Sequence, residues 1–334
     1  MSEVQRVAGI DCGTNTIRLL IADVPGGDGA PLQDVVREMR IVRLGQGVDK
    51  TGAFAPEALE RTLEAVRDYA QLCEQHGVTS ARFAATSAAR DASNREEFIQ
   101  GVVDAFGFEP QILTGDEEAH TSFMGAMSAL PAGVPDDAPL IAVDLGGGST
   151  ELVLGTKAGG VISAYSMDVG SVRMRERYLH SDPPTEDEVE AARETIRHYL
   201  DVAEEHVEIG RAEYLVGLAG TVTSVTARAL GLDKYLPTKI HGTKLPVQEV
   251  AQICGRFVAE PKEETAQLGF LHPGRVDVIG AGALVWQEVA LRIAQRTREA
   301  GHEITEIVTS EHDILDGLAL WAAEKPQSFR ASGK

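Results

Sequence analysis

The sequence predicts two related α/β domains, and three observations support this fold class. The chain has 334 residues, more than one ordinary hydrophobic core contains. Short apolar runs alternate with helical patterns along both halves, as in mixed α/β domains. A glycine-containing motif near the start of the chain recurs in the second half. We therefore expect two similar domains with a cleft between them.

Composition indicates a globular protein. Hydrophobic residues make up 43% and charged residues 25% of the chain, close to the usual values for packed domains. The three cysteines, Cys12, Cys73 and Cys254, are widely separated and lack CxxC spacing, which argues against a disulfide framework or a structural zinc site. The start of the chain lacks signal-peptide features, and no stretch is long enough to span a bilayer. We therefore expect a soluble cytoplasmic protein.

The formal charge of −20 opposes binding to nucleic acid and to anionic membranes, so neither partner is expected. A phosphate-rich ligand would have to be held by local groups, namely metal ions, backbone amides and a few arginines. Solubility alone also explains such a charge and is the simpler explanation.

The first half is predicted to open with a β-hairpin. Strands at 6–10 and 16–24 flank a polar turn at 11–15. A loop rich in glycine and proline follows at 25–32, and a third strand is predicted at 35–44.

A long amphipathic helix is predicted next, from Pro56 to His76. Its apolar residues recur at spacings of three and four, with Pro56 near the start and Gly77 just past the end. In the remainder of this half, predicted strands alternate with predicted helices. We expect strands at 81–85 and 110–113, and helices at 93–106 and 116–130.

The composition of the segment 131–139 predicts a linker. We therefore place one domain at 1–130, completed by a C-terminal helix at 311–326, and the other at 131–310. In the second domain we expect strands at 140–143, 214–216 and 306–308, and helices at 186–207, 222–230, 247–258 and 275–294.

The two halves begin alike. The motif DCGTNTIRL at 11–19 and the motif DLGGGSTEL at 144–152 share an aspartate, a glycine, a hydroxyl residue and a leucine at a constant offset. Chance similarity between two glycine-rich hairpins is the alternative, but both copies follow strand-like runs, which favours duplication. The matched pairs are Asp11/Asp144, Gly13/Gly146, Thr16/Ser149 and Leu19/Leu152.

Both copies have the composition of a phosphate-binding turn. Glycine permits close approach, so that successive backbone N–H groups and hydroxyls converge on an anion. The sequence has neither a Walker A motif nor a GxGxxG fingerprint. A single glycine turn most often only reverses the chain, but two copies strengthen the functional interpretation. The candidate residues are Gly13, Thr14, Asn15, Thr16, Gly146, Gly147, Gly148 and Ser149.

A third glycine segment, GLAGTVTS at 217–224, follows an apolar strand and is predicted to open a helix. The N-terminal amides of a helix favour anions. Gly220 and Thr221 are therefore further candidates for phosphate binding.

Three carboxylates accompany the two turns. Asp11 and Asp144 lie at strand ends, and Glu151 follows Ser149 by two residues. Carboxylates beside phosphate often hold Mg²⁺. An Asx turn is an equally good explanation for both aspartates, and Glu151 could be a solvated strand residue.

Two further segments carry catalytic residue types. Asp116, Glu117 and Glu118 lie in the first turn of a predicted helix, where they either complement the helix dipole or supply a general base. Ser87 and Arg90 follow an apolar strand. The guanidinium of Arg90 could clamp phosphate or could be an ordinary exposed charge.

Together these segments resemble the exopolyphosphatase and guanosine pentaphosphate phosphohydrolase (Ppx/GppA) family of the actin-like superfamily. The resemblance covers residues 5–320. The matching segments are DCGTNTIRLL, RLGQGVD, ATSAARDASN, TGDEEA, DLGGGSTEL, VGSVRMRERY, GLAGT and RVDVIGAGA.

The resemblance implies an actin-like, ribonuclease-H-like duplicated fold that binds phosphates between its glycine turns. It implies that Glu118 is the general base and that Arg90 and Arg275 bind phosphate. It also implies that Asp144 and Glu151 bind the metal, Mg²⁺ or Mn²⁺, or assist the water. Family members often form homodimers.

The expected activity is hydrolysis of the terminal phosphate of inorganic polyphosphate. The alternative substrate is guanosine pentaphosphate, the stringent-response nucleotide, or another nucleotide polyphosphate. A kinase or a non-catalytic scaffold of the superfamily fits less well. The chain resembles the short class, which lacks a further C-terminal helical domain, and its SEHDILDG segment departs from the family pattern. We expect His312 and Asp313 to form a surface helix start rather than a metal site.

Overall fold

The chain folds into two compact α/β units. A computed structural model describes residues 4–25, 32–127, 130, 134–325 and 329. Unit 1 contains the described residues up to 127 and those from 314 onward, and unit 2 contains the described residues between them. Most of the predicted glycine and proline loop, part of the predicted linker and the last residue of the predicted helix 311–326 lie outside the described residues.

Unit 1 contains five strands and six helices among its described residues, since its last helix comes from the end of the chain. The strands are β1 (Gln5–Cys12), β2 (Thr16–Val24), β3 (Gln33–Ile41), β4 (Ser80–Ala85) and β5 (Gln111–Ile112). The helices that precede unit 2 are α1 (Val48–Thr51), α2 (Pro56–Gln75), α3 (Ser87–Asp91), α4 (Arg95–Phe106) and α5 (Gly115–Met127). The last helix is the thirteenth of the chain, α13 (Ile314–Glu324).

The sheet of unit 1 has the strand order β3-β2-β1-β4-β5. The strands β1, β2 and β3 are antiparallel neighbours, whereas β4 and β5 continue the sheet in parallel. One face of β1 contributes Ala8 and Ile10 to a core shared with α2 and α4, in which Phe83 packs edge-on against Phe98 and Phe106. The other face packs Val7 against α13.

Unit 2 contains six strands and seven α-helices among its described residues. The strands are β6 (Leu140–Leu145), β7 (Thr150–Thr156), β8 (Gly160–Met167), β9 (Tyr214–Leu218), β10 (Lys244–Pro246) and β11 (Glu306–Thr309). The helices are α6 (Ser171–Arg177), α7 (Glu186–Glu204), α8 (Ala219–Ala229), α9 (Pro237–Ile240), α10 (Val247–Ala259), α11 (Lys262–Thr265) and α12 (Ile279–Glu299). Two 3₁₀ turns lie at Ile209–Arg211 and Pro273–Arg275.

The sheet of unit 2 repeats the plan of unit 1. Its order is β10-β11-β9-β6-β7-β8, with β6, β7 and β8 antiparallel and with β9 and β11 added in parallel to β6. The hairpin of β6 and β7 therefore corresponds to that of β1 and β2. The core of this unit is built around Trp286 and the buried face of α12.

Several sequence predictions need correction. The first strand runs on through Asp11 to Cys12, because Asp11 pairs with Arg18 in the ladder. The third strand ends at Ile41 rather than at 44, because the N–H groups of Val42 and Arg43 donate to the carbonyl of Asn15 instead of to a strand. The strands β8 and β10 and the short helices α1, α3, α6, α9 and α11 were not predicted.

Two helix starts are also displaced. The helix predicted from Arg275 begins at Ile279, and Arg275 ends the preceding 3₁₀ turn, where His272 caps Gly274. The final helix begins at Ile314, and Asp313 is buried rather than exposed. The predicted surface position of Asp313 is therefore wrong.

The described cysteines are free and buried. Burial raises the pKa of the Cys73 thiol to about 12, so this thiol stays protonated at neutral pH. Within the residues that the structure describes, no helix has the length and apolar character needed to cross a membrane.

One buried ion pair joins α13 to the edge strand β3. The guanidinium of Arg37 contacts the carboxylate of Asp316, which is 2% exposed, and also the more exposed carboxylate of Asp34. Burial lowers the pKa of Arg37, but the charges and hydrogen bonds of Asp316 and Asp34 together raise it above its ordinary value.

We predict that Arg37→Met lowers the free energy of unfolding by about 3 kcal/mol, because the buried carboxylate of Asp316 loses its guanidinium. The control Asp34→Ala removes the exposed partner of the same arginine and should cost less than about 1 kcal/mol. Urea unfolding measures both. Equal losses would show that the buried pair does not hold α13.

Candidate active site

The glycine turn of unit 1 is closed by one backbone hydrogen bond, from Gly13 N to Thr16 O at 2.9 Å. The carbonyl of Asn15 accepts from the N–H groups of Val42 and Arg43, at 3.0 and 2.9 Å. The carbonyl of Thr14 accepts from Gly45 N at 2.9 Å. The segment after β3 therefore binds the carbonyl oxygens of the turn, which are the groups that would repel an anion.

Side chains join this turn to α3. The hydroxyls of Thr14 and Ser87 lie 2.8 Å apart and both residues are buried. A Cβ on Gly45 would overlap the side chain of Thr14, so only glycine allows this approach. The predicted residues Gly13, Thr14 and Ser87 are thus brought together in unit 1.

The pair formed by Arg90 and Glu118 lies on the two helices that follow β4 and β5. Arg90, on α3, donates from Nη1 to Glu118 Oε2 at 2.7 Å and to the carbonyl of Leu113 at 2.8 Å. Glu118, in the first turn of α5, is 8% exposed. This charge-assisted pair, partly buried, fixes the positions of both side chains.

The three acidic residues at the start of α5 have different roles. Glu117 forms a capping box, in which Thr114 N donates to Glu117 Oε2 at 2.9 Å and Glu117 N donates to Thr114 Oγ1 at 3.2 Å. Asp116 and Glu117 are exposed, whereas Glu118 is buried against Arg90. The helix-terminus explanation therefore fits Glu117. Glu118, buried beside an arginine, has the position expected of a reactive carboxylate.

The glycine turn of unit 2 repeats the closing bond of unit 1, from Gly146 N to Ser149 O at 3.0 Å. The N-terminus of α6 binds its carbonyls: Ser171 N donates to Gly146 O at 3.0 Å, and Val172 N donates to Gly147 O at 2.8 Å. Arg173 Nε adds a bond to Gly148 O at 2.8 Å. A neighbouring segment again holds the carbonyl oxygens of the turn.

Glycine makes this contact possible. A Cβ on Gly170, directly before α6, would lie 2.5 Å from the carbonyl carbon of Gly147. No side chain fits between α6 and the turn.

The third predicted segment opens α8, as expected, and Arg275 lies against it. A Cβ on Gly220 would overlap the guanidinium of Arg275. The preceding residue, Ala219, has a φ of +69°, a strained conformation for a residue other than glycine. The side chain of Arg275 is therefore next to the first amides of the helix, a combination suited to an anion.

Gly282 on α12 joins this segment to the turn of unit 2. A Cβ there would overlap Thr221 Oγ1 and lie 3.1 Å from Ser171 Cβ. Ser171 in turn donates through Oγ to Gly146 O at 3.3 Å. Gly282 thus packs against both Thr221 and Ser171, and Ser171 is hydrogen-bonded to Gly146. Of these contacts, Thr221 and Gly146 were predicted as site residues and Ser171 was not.

The carboxylates of the two turns have different neighbours. Asp11 accepts from Arg18 Nε at 3.0 Å and from Arg18 Nη2 at 2.7 Å, which neutralises it. The corresponding Asp144 lies opposite Glu151 in the β6–β7 ladder. Glu151 Oε1 accepts from Ser166 Oγ at 2.8 Å. Asp11 thus has an arginine as a bonded partner, and Glu151, 1% exposed, is not a solvated strand residue.

Two buried carboxylates side by side suit a hard cation. Directly opposed residues of an antiparallel pair have their Cβ atoms about 5 Å apart, and Mg²⁺ is usually held by one or two carboxylates together with water and phosphate. Among the described residues, no group of three or more His, Cys, Asp or Glu side chains is arranged to hold a metal. Asp144 and Glu151 nevertheless fit a magnesium ion that takes its other ligands from water and substrate.

The residues that the sequence missed act through backbone contacts. Gly45, Gly170, Ser171, Arg173 and Gly282 hold the turns and helix starts in place. All five lie in or beside the RLGQGVD, VGSVRMRERY and RVDVIGAGA segments. The family resemblance therefore included these segments but assigned no role to the five residues.

Comparison with known proteins identifies a family. Residues 20–303 match the Ppx/GppA phosphatase family. The chain is 48% identical over 321 residues to exopolyphosphatase 2 of Mycobacterium tuberculosis, covering 94% of this chain and 98% of that protein.

Solved structures give the same result. The chain is similar to a crystallised exopolyphosphatase-like protein, with 43% identity, a TM-score of 0.89 and coverage of 94% of this chain and 98% of the other. A PPX-GPPA enzyme of Aquifex aeolicus is 28% identical, with a TM-score of 0.75 and the same coverages. The predicted α/β fold class and the family resemblance are confirmed.

We predict opposite stability effects at the two corresponding positions 18 and 151 in metal-free buffer. Glu151→Gln should raise the free energy of unfolding by about 0.5 kcal/mol, because it removes the repulsion between facing carboxylates. Arg18→Gln should lower it by about 2 kcal/mol, because it leaves the carboxylate of Asp11 buried without its guanidinium. Urea unfolding with a chelator present measures both, and a loss of stability in Glu151→Gln would contradict the expected repulsion.

Proposed function

The chain belongs to the Ppx/GppA phosphatase family, and from that membership we propose that it is an exopolyphosphatase. It removes the terminal phosphate of inorganic polyphosphate by attack of water. The observation that carries this proposal is the ion pair of the buried Glu118 with Arg90 of α3, the helix whose Ser87 contacts the glycine turn.

Glu118 is the proposed general base. A water that donates a hydrogen bond to its carboxylate is oriented toward the terminal phosphorus and loses its proton as the new P–O bond forms. The bond from phosphorus to the bridging oxygen then breaks, which leaves a chain shorter by one phosphate. Arg90 holds the carboxylate in place and adds positive charge where the phosphoryl oxygens gain negative charge.

Phosphate binding is assigned to the glycine segments. In unit 1 these residues are Gly13, Thr14, Asn15 and Thr16, with Ser87. In unit 2 they are Gly146, Gly147, Gly148 and Ser149, with Gly220, Thr221 and Arg275. Backbone amides bind phosphate without adding net positive charge, so such binding is compatible with a chain of formal charge −20.

Asp144 and Glu151 are the proposed ligands of Mg²⁺ or Mn²⁺. When bound, the metal supplies positive charge to phosphate oxygens. Asp11, which the sequence also suggested as a ligand, is already bonded to Arg18 and is the weaker candidate. Ser166 orients the carboxylate of Glu151 through its hydrogen bond.

Guanosine pentaphosphate is the second candidate substrate, because the third anion-binding segment, at Gly220 and Arg275, could receive additional phosphates. We also propose that the protein works in the cytoplasm and forms a homodimer. Light scattering of the purified chain tests the dimer.

We predict that the wild-type protein releases phosphate from short and long polyphosphate faster than from guanosine pentaphosphate or ATP. Glu118→Gln should lower kcat on polyphosphate by about 10²-fold to 10³-fold, because the general base is lost. Phosphate release from the four substrates measures both expectations.

Glu117→Gln is the matched control for this variant. It changes the neighbouring carboxylate, which caps the helix, and kcat should stay within twofold. Wild-type turnover in Glu118→Gln would remove Glu118 from its role. Faster release from guanosine pentaphosphate would transfer the proposal to the nucleotide.

We predict that Mg²⁺ raises the Tm of the chelator-treated protein by roughly 5 °C at 100 times its Kd. Glu151→Gln and Asp144→Asn should abolish this rise, since each removes a ligand. The control Asp136→Asn changes an exposed aspartate paired with Lys157 in the same unit and should keep it. A full Mg²⁺ response in Glu151→Gln would place the metal elsewhere.

A further inference from the structure

The last helix of the chain, α13, packs behind the pair of Arg90 and Glu118. It follows unit 2 in the sequence but belongs to unit 1. Its contacts extend to the sheet, to α5 and to Leu113, and each contact bears on the position of the pair.

The first contact fixes α13 on the sheet. A Cβ on Gly9 of β1 would lie 2.8 Å from the carbonyl oxygen of Leu315 and 3.0 Å from the amide nitrogen of Ala319. Ser80 Oγ of β4 donates to the carbonyl of Ala322 at 2.7 Å. The backbone of α13 therefore lies directly on β1 and is bonded to β4.

The second contact fixes α5 on α13. A Cβ on Gly317 would overlap the carbonyl oxygen of Thr121. Thr121 follows Glu118 by three residues, so it lies near Glu118 on the surface of α5. Because the obstacle is backbone, no side-chain rotation can make room for a methyl group at 317.

The third contact reaches Arg90. Leu113 packs in one apolar cluster with Ile314 and Leu318 of α13, and the carbonyl of Leu113 accepts from Arg90 Nη1 at 2.8 Å. The helix thus supports Arg90 through Leu113 and Glu118 through α5.

We propose that α13 sets the geometry of the Arg90–Glu118 pair and that Gly317 is a positioning residue for the reaction. This inference rests on the proposed function, in which Glu118 is the base. It predicts that a change in α13, outside the phosphate-binding turns, reduces the rate of the chemical step more than substrate binding.

The test is Gly317→Ala, assayed for phosphate release from polyphosphate. The added methyl group must push α5 away from α13, so kcat should fall about tenfold while KM stays within twofold. The control is Gly255→Ala on α10, where the added Cβ would meet only Gln287 Nε2 at 3.6 Å. Its kcat should match the wild type.

A double-mutant cycle separates positioning from simple destabilisation. If Gly317 acts through the pair, Gly317→Ala should lower kcat by less than twofold in the Glu118→Gln background. A tenfold loss in that background as well would overturn the inference. Wild-type turnover in Glu118→Gln alone would overturn the proposed function, and the inference with it.

A milder variant covers the case in which Gly317→Ala does not fold. Ile314→Val removes one methyl group from the cluster around Leu113, and Ile293→Val removes one from the buried face of α12 in unit 2. Both variants should show a similar decrease in Tm, but only Ile314→Val should also lower kcat, by about threefold. Equal kcat values in the two variants would show that α13 has no positioning role.

Discussion

Both glycine turns depend on the same physical constraint: their carbonyl oxygens must be bound by another segment before an anion can approach. In unit 1 the residues after β3 donate to Thr14 and Asn15, and in unit 2 the N-terminus of α6 donates to Gly146 and Gly147. When the carbonyl oxygens are already hydrogen-bonded, the polar groups that the turn offers to an anion are its amide N–H groups and its hydroxyls. Backbone amides attract an anion without adding net positive charge, which suits a chain of formal charge −20. Arg275 adds a guanidinium beside Gly220.

The sequence predicted what depends on local chemistry. The repeated motif placed Gly13 and Thr16 at the same offset as Gly146 and Ser149, and each pair is joined by the same N–H to carbonyl bond. The helix from Pro56 was predicted almost to the residue, because proline, the apolar spacing and Gly77 all act within a few turns. Most strands and helices were found for the same reason.

Contacts between distant segments could not be predicted in this way. Residue type and helix position alone do not separate Glu118 from Asp116 and Glu117, and only the family resemblance singled it out. In the structure the difference is the contact with Arg90, 28 residues away. The neighbours of the glycines could not be predicted for the same reason. Gly170, Gly220 and Gly282 each leave room for a different neighbour, and only the folded chain identifies that neighbour. Arg275 was predicted to bind phosphate, but within a helix. The structure instead puts it on a 3₁₀ turn, against Gly220.

The hairpins of the two units share the same turn but differ in the charge of the residue that faces the aspartate. At the position after the turn where unit 1 has Arg18, unit 2 has Glu151, and each faces the matching aspartate of its own hairpin. An aspartate opposite arginine has a counter-charge on the neighbouring strand, whereas an aspartate opposite glutamate has a second carboxylate there. The residue at this position therefore decides whether the strand pair gives its aspartate a counter-charge or the paired carboxylates that suit the proposed cation. The carboxylate proposed as the base lies outside both hairpins, on α5 of unit 1. The proposed roles follow this difference, since the proposed base and its arginine belong to unit 1 and the proposed cation ligands belong to unit 2.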